Sequence, residues 1–269
     1  MVEEIRPRTG EPVDAVRAFF AAWRAGDDAA PFVTGRLDLL TGLTGALRAS
    51  GDLLGQEVEL RRATLLELRD REALVDVEGS LRTTIRDPLY GTVTVHEEDL
   101  TGPVKALLVD GDWRVADYCS DGRRALSGLS TNVHGAGSAR GLDATSIAVR
   151  TAYSLTFLYV ELGNSRADAV IVRRANLNLN RFTSKRFGRV FGRRTIEPGE
   201  RRLVLLAWPV ALRRASRQVR LLAFGDAAQE RIEVRFGVRL EPADLAYFEP
   251  LRIGGDPLPP PEPGDELER

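Results

Sequence analysis

Apolar residues recur at three- and four-residue spacing over residues 13–25, where Val16, Phe19, Phe20 and Trp23 fall on one side of a helix and Gly26 supplies a stop. Residues 27–49 read as further helix and loop, interrupted by Thr34, Thr41, Gly42 and Gly45. The period then changes to two. Residues 58–68 are a first strand and residues 73–85 a second, with Ala73, Val75, Val77, Gly79, Leu81, Thr83 and Ile85 on one parity. Asp76, Glu78, Arg82 and Thr84 take the other parity, and residues 69–72 form the polar turn between the runs. Residues 91–96 are a third strand, and 104–109 and 113–118 pair across Asp110-Gly111-Asp112, a hairpin signal.

The stretch 122–140 is small, polar and glycine-rich, which predicts a flexible linker over 123–141 between domains at 10–122 and 142–253. Beyond it the pattern is all β, with runs at 146–150, 154–162, 169–180, 189–196, 201–208, 218–224 and 231–240. In the last, Ile232, Val234, Phe236, Val238 and Leu240 alternate with Glu233, Arg235, Gly237 and Arg239, one face for a core and one for water. The acidic, proline-rich end, 254–269, is expected to be disordered.

Composition narrows the chemistry. With Cys119 as the one cysteine, neither an intramolecular disulfide nor a cysteine metal cluster can form, and two histidines, His96 and His134, are too few for a histidine-rich metal site. No cofactor or metal is expected. Of the 38 basic residues only Lys105 and Lys185 are lysine, a bias that points to a GC-rich bacterial genome. No apolar run reaches the roughly 20 residues of a membrane span, and the first residues lack the basic-then-apolar order of an export signal. The chain as given therefore reads as cytoplasmic, or as extracytoplasmic if a signal was removed. The net charge of −1 conceals an uneven distribution. Residues 1–139 hold 16 basic and 23 acidic residues, 140–240 hold 20 and 8, and 241–269 hold 2 and 8. A basic middle between acidic flanks fits either an anionic partner or neutralisation within the chain.

The opening Ala15-Val16-Arg17-Ala18-Phe19-Phe20-Ala21-Ala22-Trp23-Arg24-Ala25-Gly26-Asp27 and the closing Asp110-Gly111-Asp112-Trp113-Arg114-Val115-Ala116-Asp117-Tyr118 resemble the nuclear-transport-factor-2-like superfamily, also called ketosteroid-isomerase-like or cystatin-like. The resemblance implies an α+β cone of helices on a curved antiparallel sheet. It also implies a homodimer, and an Asp, Tyr or His at the cone mouth acting as base or oxyanion donor in the enzymes of the group. Val160-Glu161-Leu162-Gly163-Asn164, and Ile196-Glu197-Pro198-Gly199-Glu200 leading into 203–209, are similar to the telokin-like, immunoglobulin-type sandwich of small bacterial secreted proteins. That likeness implies an all-β binding module. The expected fold class is thus α+β, a cone followed by an immunoglobulin-like β-sandwich.

Asp117 is the candidate general base, on the strand parity of Trp113 and Val115; its alternatives are a solvent-facing strand end or an ion pair with Arg114 or Arg123. Trp23, Tyr90, Trp113 and Tyr118 would line a pocket or pack into a core. His96 reads as an exposed residue beside Glu97-Glu98-Asp99, and Cys119 as an inert buried thiol. The sharpest feature is 181–194, with six positive charges, three phenylalanines and no acid. Arg181, Lys185, Arg186, Arg189, Arg193 and Arg194 could grip an anionic partner, or form a solvated hairpin turning at Gly188 or Gly192. The expected function is a non-catalytic binding or scaffold protein whose Arg-rich surface meets a protein or anionic polymer. The alternatives are an isomerase or hydrolase acting on a small hydrophobic ligand, and nucleic-acid binding through 181–194, against which the pI near 6.2 counts.

Overall fold

The computed structural model describes residues 10–87, 91–130, 133–152, 155–178, 185–191, 193–208, 217–225, 230–240 and 251. These fall into two compact units, one of residues 10–87, 92–127 and 251, the other running from 128 to 240.

In the first unit, helix α1 (Pro12–Ala25) begins with Pro12 at a position whose missing N–H would be unpaired anyway. It ends at Gly26, left-handed at φ 79°, where the Gly26 and Asp27 amides reach back to the carbonyls of Trp23 and Ala22. Its apolar stripe buries Ala15, Val16, Phe19, Phe20 and Trp23. A second helix, α2 (Leu37–Ala49), buries Leu37, Leu40, Leu43 and Leu47. The sheet has six antiparallel strands: β1 (Leu53–Arg69), β2 (Glu72–Arg86), β3 (Val93–Asp99), β4 (Gly102–Val109), β5 (Asp112–Ser120) and β6 (Arg123–Arg124). Its order is β1-β2-β4-β5-β6, with β2 giving Glu72–Val77 to β4 and Ser80–Arg86 to β3. Two hairpins turn on Asp-Gly pairs in which both residues have positive φ, Asp110-Gly111 (53° and 86°) and Asp121-Gly122 (51° and 68°), the conformation that matches the twist of the flanking strands.

The second unit is all strand: β7 (Leu129–Ser130), β8 (Val133–His134), β9 (Ala136–Ala139), β10 (Leu142–Ala152), β11 (Leu155–Asn164), β12 (Val170–Asn178), β13 (Lys185–Phe191), β14 (Thr195–Ile196), β15 (Arg201–Trp208), β16 (Arg217–Gly225) and β17 (Arg231–Leu240). The hydrogen-bonded path runs β7-β10-β11-β15-β13-β12-β16-β17-β8. Strand β13 is its corner, since Lys185–Gly188 pair with β12 and Arg189–Phe191 pair with β15. One core joins both sides of the corner, among its members Leu158, Val160 and Leu206 from β11 and β15 and Val172, Leu221 and Val234 from β12, β16 and β17. A β-rich unit of this kind is consistent with a sandwich.

The expected α+β fold class is corrected. Strand makes up 63% of the described residues and helix 17%, so the chain is mostly β. Among the described residues only two α-helices form, because the strands are long (β1 and β2 take up nearly all of 53–86), and the second unit is one continuous ladder through β13. Residues 123–141, read as linker, hold β6 to β9, each paired with a neighbour. Their glycines permit close packing. A Cβ on Gly135 would lie 1.8 Å from the Gly237 carbonyl oxygen, and one on Gly137 would lie 2.4 Å from that of Arg235. The proline-rich end 254–269 lies outside the described residues.

Candidate functional site

Asp117 is held by its neighbours in sequence. A two-residue turn at Asp121-Gly122 folds β6 back on β5, pairing Cys119 with Arg124 and bringing the Arg124 guanidinium to Asp117. Arg124 Nε donates to Asp117 Oδ2 at 2.7 Å, and the Tyr118 amide donates to Oδ1 at 2.9 Å. The Leu126 amide adds a further bond. The carboxylate is 2% exposed. Burial pushes its pKa above the ordinary aspartate value, while Arg124 and the amides pull the other way. With both oxygens bonded inside the fold, the group ties β5 to β6. The partner is Arg124, one residue beyond the sequence-based candidate Arg123.

Trp23 and Tyr118 are brought together, at 5.6 Å between ring centroids, but in a packed group with Phe19 and Phe20 rather than around an opening. Trp113 belongs to a separate buried cluster with Ala15, Ala73 and Ala106. Tyr90 lies outside the described residues. A cleft of about 650 Å³ does open in the first unit, lined among others by Arg24, Gln56, Glu57, Ser80, Arg82 and Glu97. It includes none of the aromatic residues expected to line one, and its charges partly cancel, Arg82 lying 3.5 Å from Glu97 and 3.9 Å from Glu57. His96 is half-buried on β3, with Nε2 3.2 Å from Thr94 Oγ1. Cys119 is buried with Leu74 and Leu251, which burial pushes to a higher thiol pKa. Among the described residues no group of three His, Cys, Asp or Glu side chains is placed to hold a metal ion, and no helix is long and apolar enough to cross a membrane.

The basic residues of the second unit are sorted by strand parity. On β12, β16 and β17 the positions Val170, Val172, Ala175, Leu177, Val219, Leu221, Ala223, Ile232, Val234 and Phe236 point to the core. The opposite face carries Arg174, Arg220, Arg231 and Arg235. Asn176 opposes Arg220, which opposes Arg235, and Phe224 opposes Arg231. Arg173 is also exposed, at the irregularity between Val172 and Arg174. Glu233 is the one carboxylate on these three strands. Arg235 Nη2 lies 2.6 Å from it and Arg231 Nη2 3.3 Å, and Arg220 is its third partner. Burial raises the Glu233 pKa, but Arg220 and Arg235 outweigh it and hold the group below the usual carboxylate range.

Of the sequence candidates for anion binding, Arg189 lies on β13 with its guanidinium 5.2 Å from the Phe191 ring centroid. Arg193 and Arg194 are exposed, Arg193 bonded to Glu197 at 2.6 Å. Lys185 and Arg186 form the start of β13, and Arg181 lies outside the described residues. Of the two turn positions expected, Gly188 lies inside the unbroken strand β13, and Gly192 lies outside the described residues. Phe191 is 2% exposed, which removes it as a stacking platform. Sequence reading missed Arg173, Arg174 and Arg231; alternation with core residues along β17 marks Arg231 as it marks Arg235, but the adjacent pair Arg173-Arg174 interrupts the alternation of β12 at an irregularity.

No family model, curated protein or solved structure matches this chain.

Proposed function

We propose that this is a binding protein whose second unit presents the outer face of β12, β16 and β17 to an extended anionic polymer. The observation that carries the reading is the register of that face: among the described side chains Arg174, Arg220, Arg231 and Arg235, with Arg173 exposed at the adjoining irregularity, make five arginines against the single carboxylate of Glu233. Alternate residues on a strand are about 6.6 Å apart and neighbouring strands about 4.8 Å apart. The guanidinium groups therefore form a flat grid rather than a pocket, suited to charges repeated along a chain. Guanidinium forks favour planar, multiply charged oxygen groups. Glu233 takes up charge from three of the five, and so orders the grid while leaving a positive excess.

The test is binding of the full chain to polyphosphate and to heparin at several salt concentrations. Affinity falls steeply with salt if counterions are released from the polymer. Arg174→Gln combined with Arg235→Gln weakens binding and reduces the salt slope by about 2, one for each contact removed. Binding that is unchanged by these substitutions contradicts the reading.

A reading as an isomerase or hydrolase draws on Asp117 alone, and both oxygens of that carboxylate are engaged within the fold. Nucleic acid is one possible anionic polymer rather than a separate mode, because Phe191 is buried and base stacking at 181–194 loses that ring.

A further inference from the structure

We propose that β1 pairs edge to edge with β1 of a second copy of this chain, antiparallel about a two-fold axis at Thr64. Strand β1 runs from Leu53 to Arg69 and has β2 as its one strand partner among the described residues, so its other edge presents unpaired backbone groups. The same strand exposes Leu65 (40%), Leu66 (59%) and Leu68 (51%) among the charged residues Glu59, Arg61, Arg62, Glu67 and Arg69, so the edge carries both apolar surface and charges of both signs.

The sequence chooses the occupant and the register. With the axis at Thr64, Leu60 opposes Leu68, Ala63 opposes Leu65, Arg61 opposes Glu67 and Glu59 opposes Arg69, each twice by symmetry. The faces agree as well. Leu60, Ala63, Leu65 and Leu68 pair on β2 with Gly79, Val77, Val75 and Ala73, so all four lie on the sheet side that buries the core. Opposed residues of an antiparallel pair share a face, and these apolar pairs therefore meet on one side. Of the three positions passed over in pairing with β2, Leu54, Arg61 and Leu66, the last two fall within the paired segment, where Arg61 opposes Glu67 and Leu66 lies against the stem of Arg62. Moving the axis by one residue breaks the match. At Ala63 it sets Glu59 against Glu67, and at Leu65 it sets Arg61 against Arg69. Like charges directly opposite destabilise a strand pair. A strand of another protein has no reason to carry this self-complementary order, so a second copy is the partner the charges specify.

The experiment is sedimentation of the full chain over a range of concentrations. The wild type is a reversible dimer. R61E places carboxylates opposite one another at both symmetric positions and raises the dimer dissociation constant by at least about tenfold. The double substitution R61E/E67R restores opposite charges and returns the dimer, which separates a register effect from general damage to the fold. Independently, T64C under mild oxidation forms a cross-linked dimer, because the two Thr64 positions face each other at the axis. D27C, at an exposed position away from the strand, does not cross-link. A chain that stays monomeric at every concentration, or a dimer indifferent to R61E, overturns the proposal.

Discussion

At Asp117 two forces oppose each other, loss of water around a carboxylate and the field of Arg124 beside it, and the first is the larger. The folded state therefore holds a proton more tightly than the unfolded chain does. Stability from this group is greatest below the ordinary value of 3.8 and is lost as pH rises through the higher folded value. Urea unfolding of wild type and D117N across this range gives a stability difference that shifts against the wild type with rising pH, then levels off; a difference independent of pH contradicts the assignment. Removing the carboxylate altogether is worse. Asp117→Ala leaves Arg124 and the Tyr118 and Leu126 amides without their acceptor and costs about 2–4 kcal/mol, less than a fully buried pair because Arg124 is partly exposed. Gly188 makes a different demand. A Cβ there would lie 2.3 Å from Nε1 of the fully buried Trp208, so Gly188→Ala costs about 1–3 kcal/mol in chemical denaturation. The sequence showed Asp117 as a carboxylate on an apolar parity, but its partner depended on the Asp121-Gly122 turn, which local pattern did not resolve.

Among the elements, the hairpin at Asp110-Gly111 and the alternation of β2 and β17 were legible because turn chemistry and two-residue period are local properties. The glycines of 123–141 were not, since flexibility and close approach call for the same residue. Gly135 and Gly137 sit beside the β17 backbone, and alanine at either position requires that backbone to move. Each substitution lowers stability by about 1–3 kcal/mol, whereas a flexible linker would tolerate both; thermal unfolding of G135A and G137A decides between them. The corner in β13 was equally hidden, because pairing with two strands distant in sequence leaves no periodic mark on the seven residues concerned. Leu251 joins Leu74 and Cys119 from more than a hundred residues away for the same reason.

For the whole molecule, net charge near zero would argue against an anionic partner if charge were spread evenly. It is not: residues 140–240 hold 20 basic residues against 8 acidic ones, and Arg174, Arg220, Arg231 and Arg235 of this excess share one face of β12, β16 and β17, while the core side of the same strands is apolar. Fold class was the part read least well. The opening helix and closing hairpin were found in place, yet two helices among long antiparallel strands make a mostly β chain rather than an α+β one. The function drawn from the structure rests on the grid of arginines and not on either resemblance. The most direct measurement is the affinity of the full chain for polyphosphate against salt concentration, compared with R174Q/R235Q. The account predicts a steep decline with salt and a slope smaller by about 2 in the variant. Weak binding of equal slope in both proteins would show that this face is not the site.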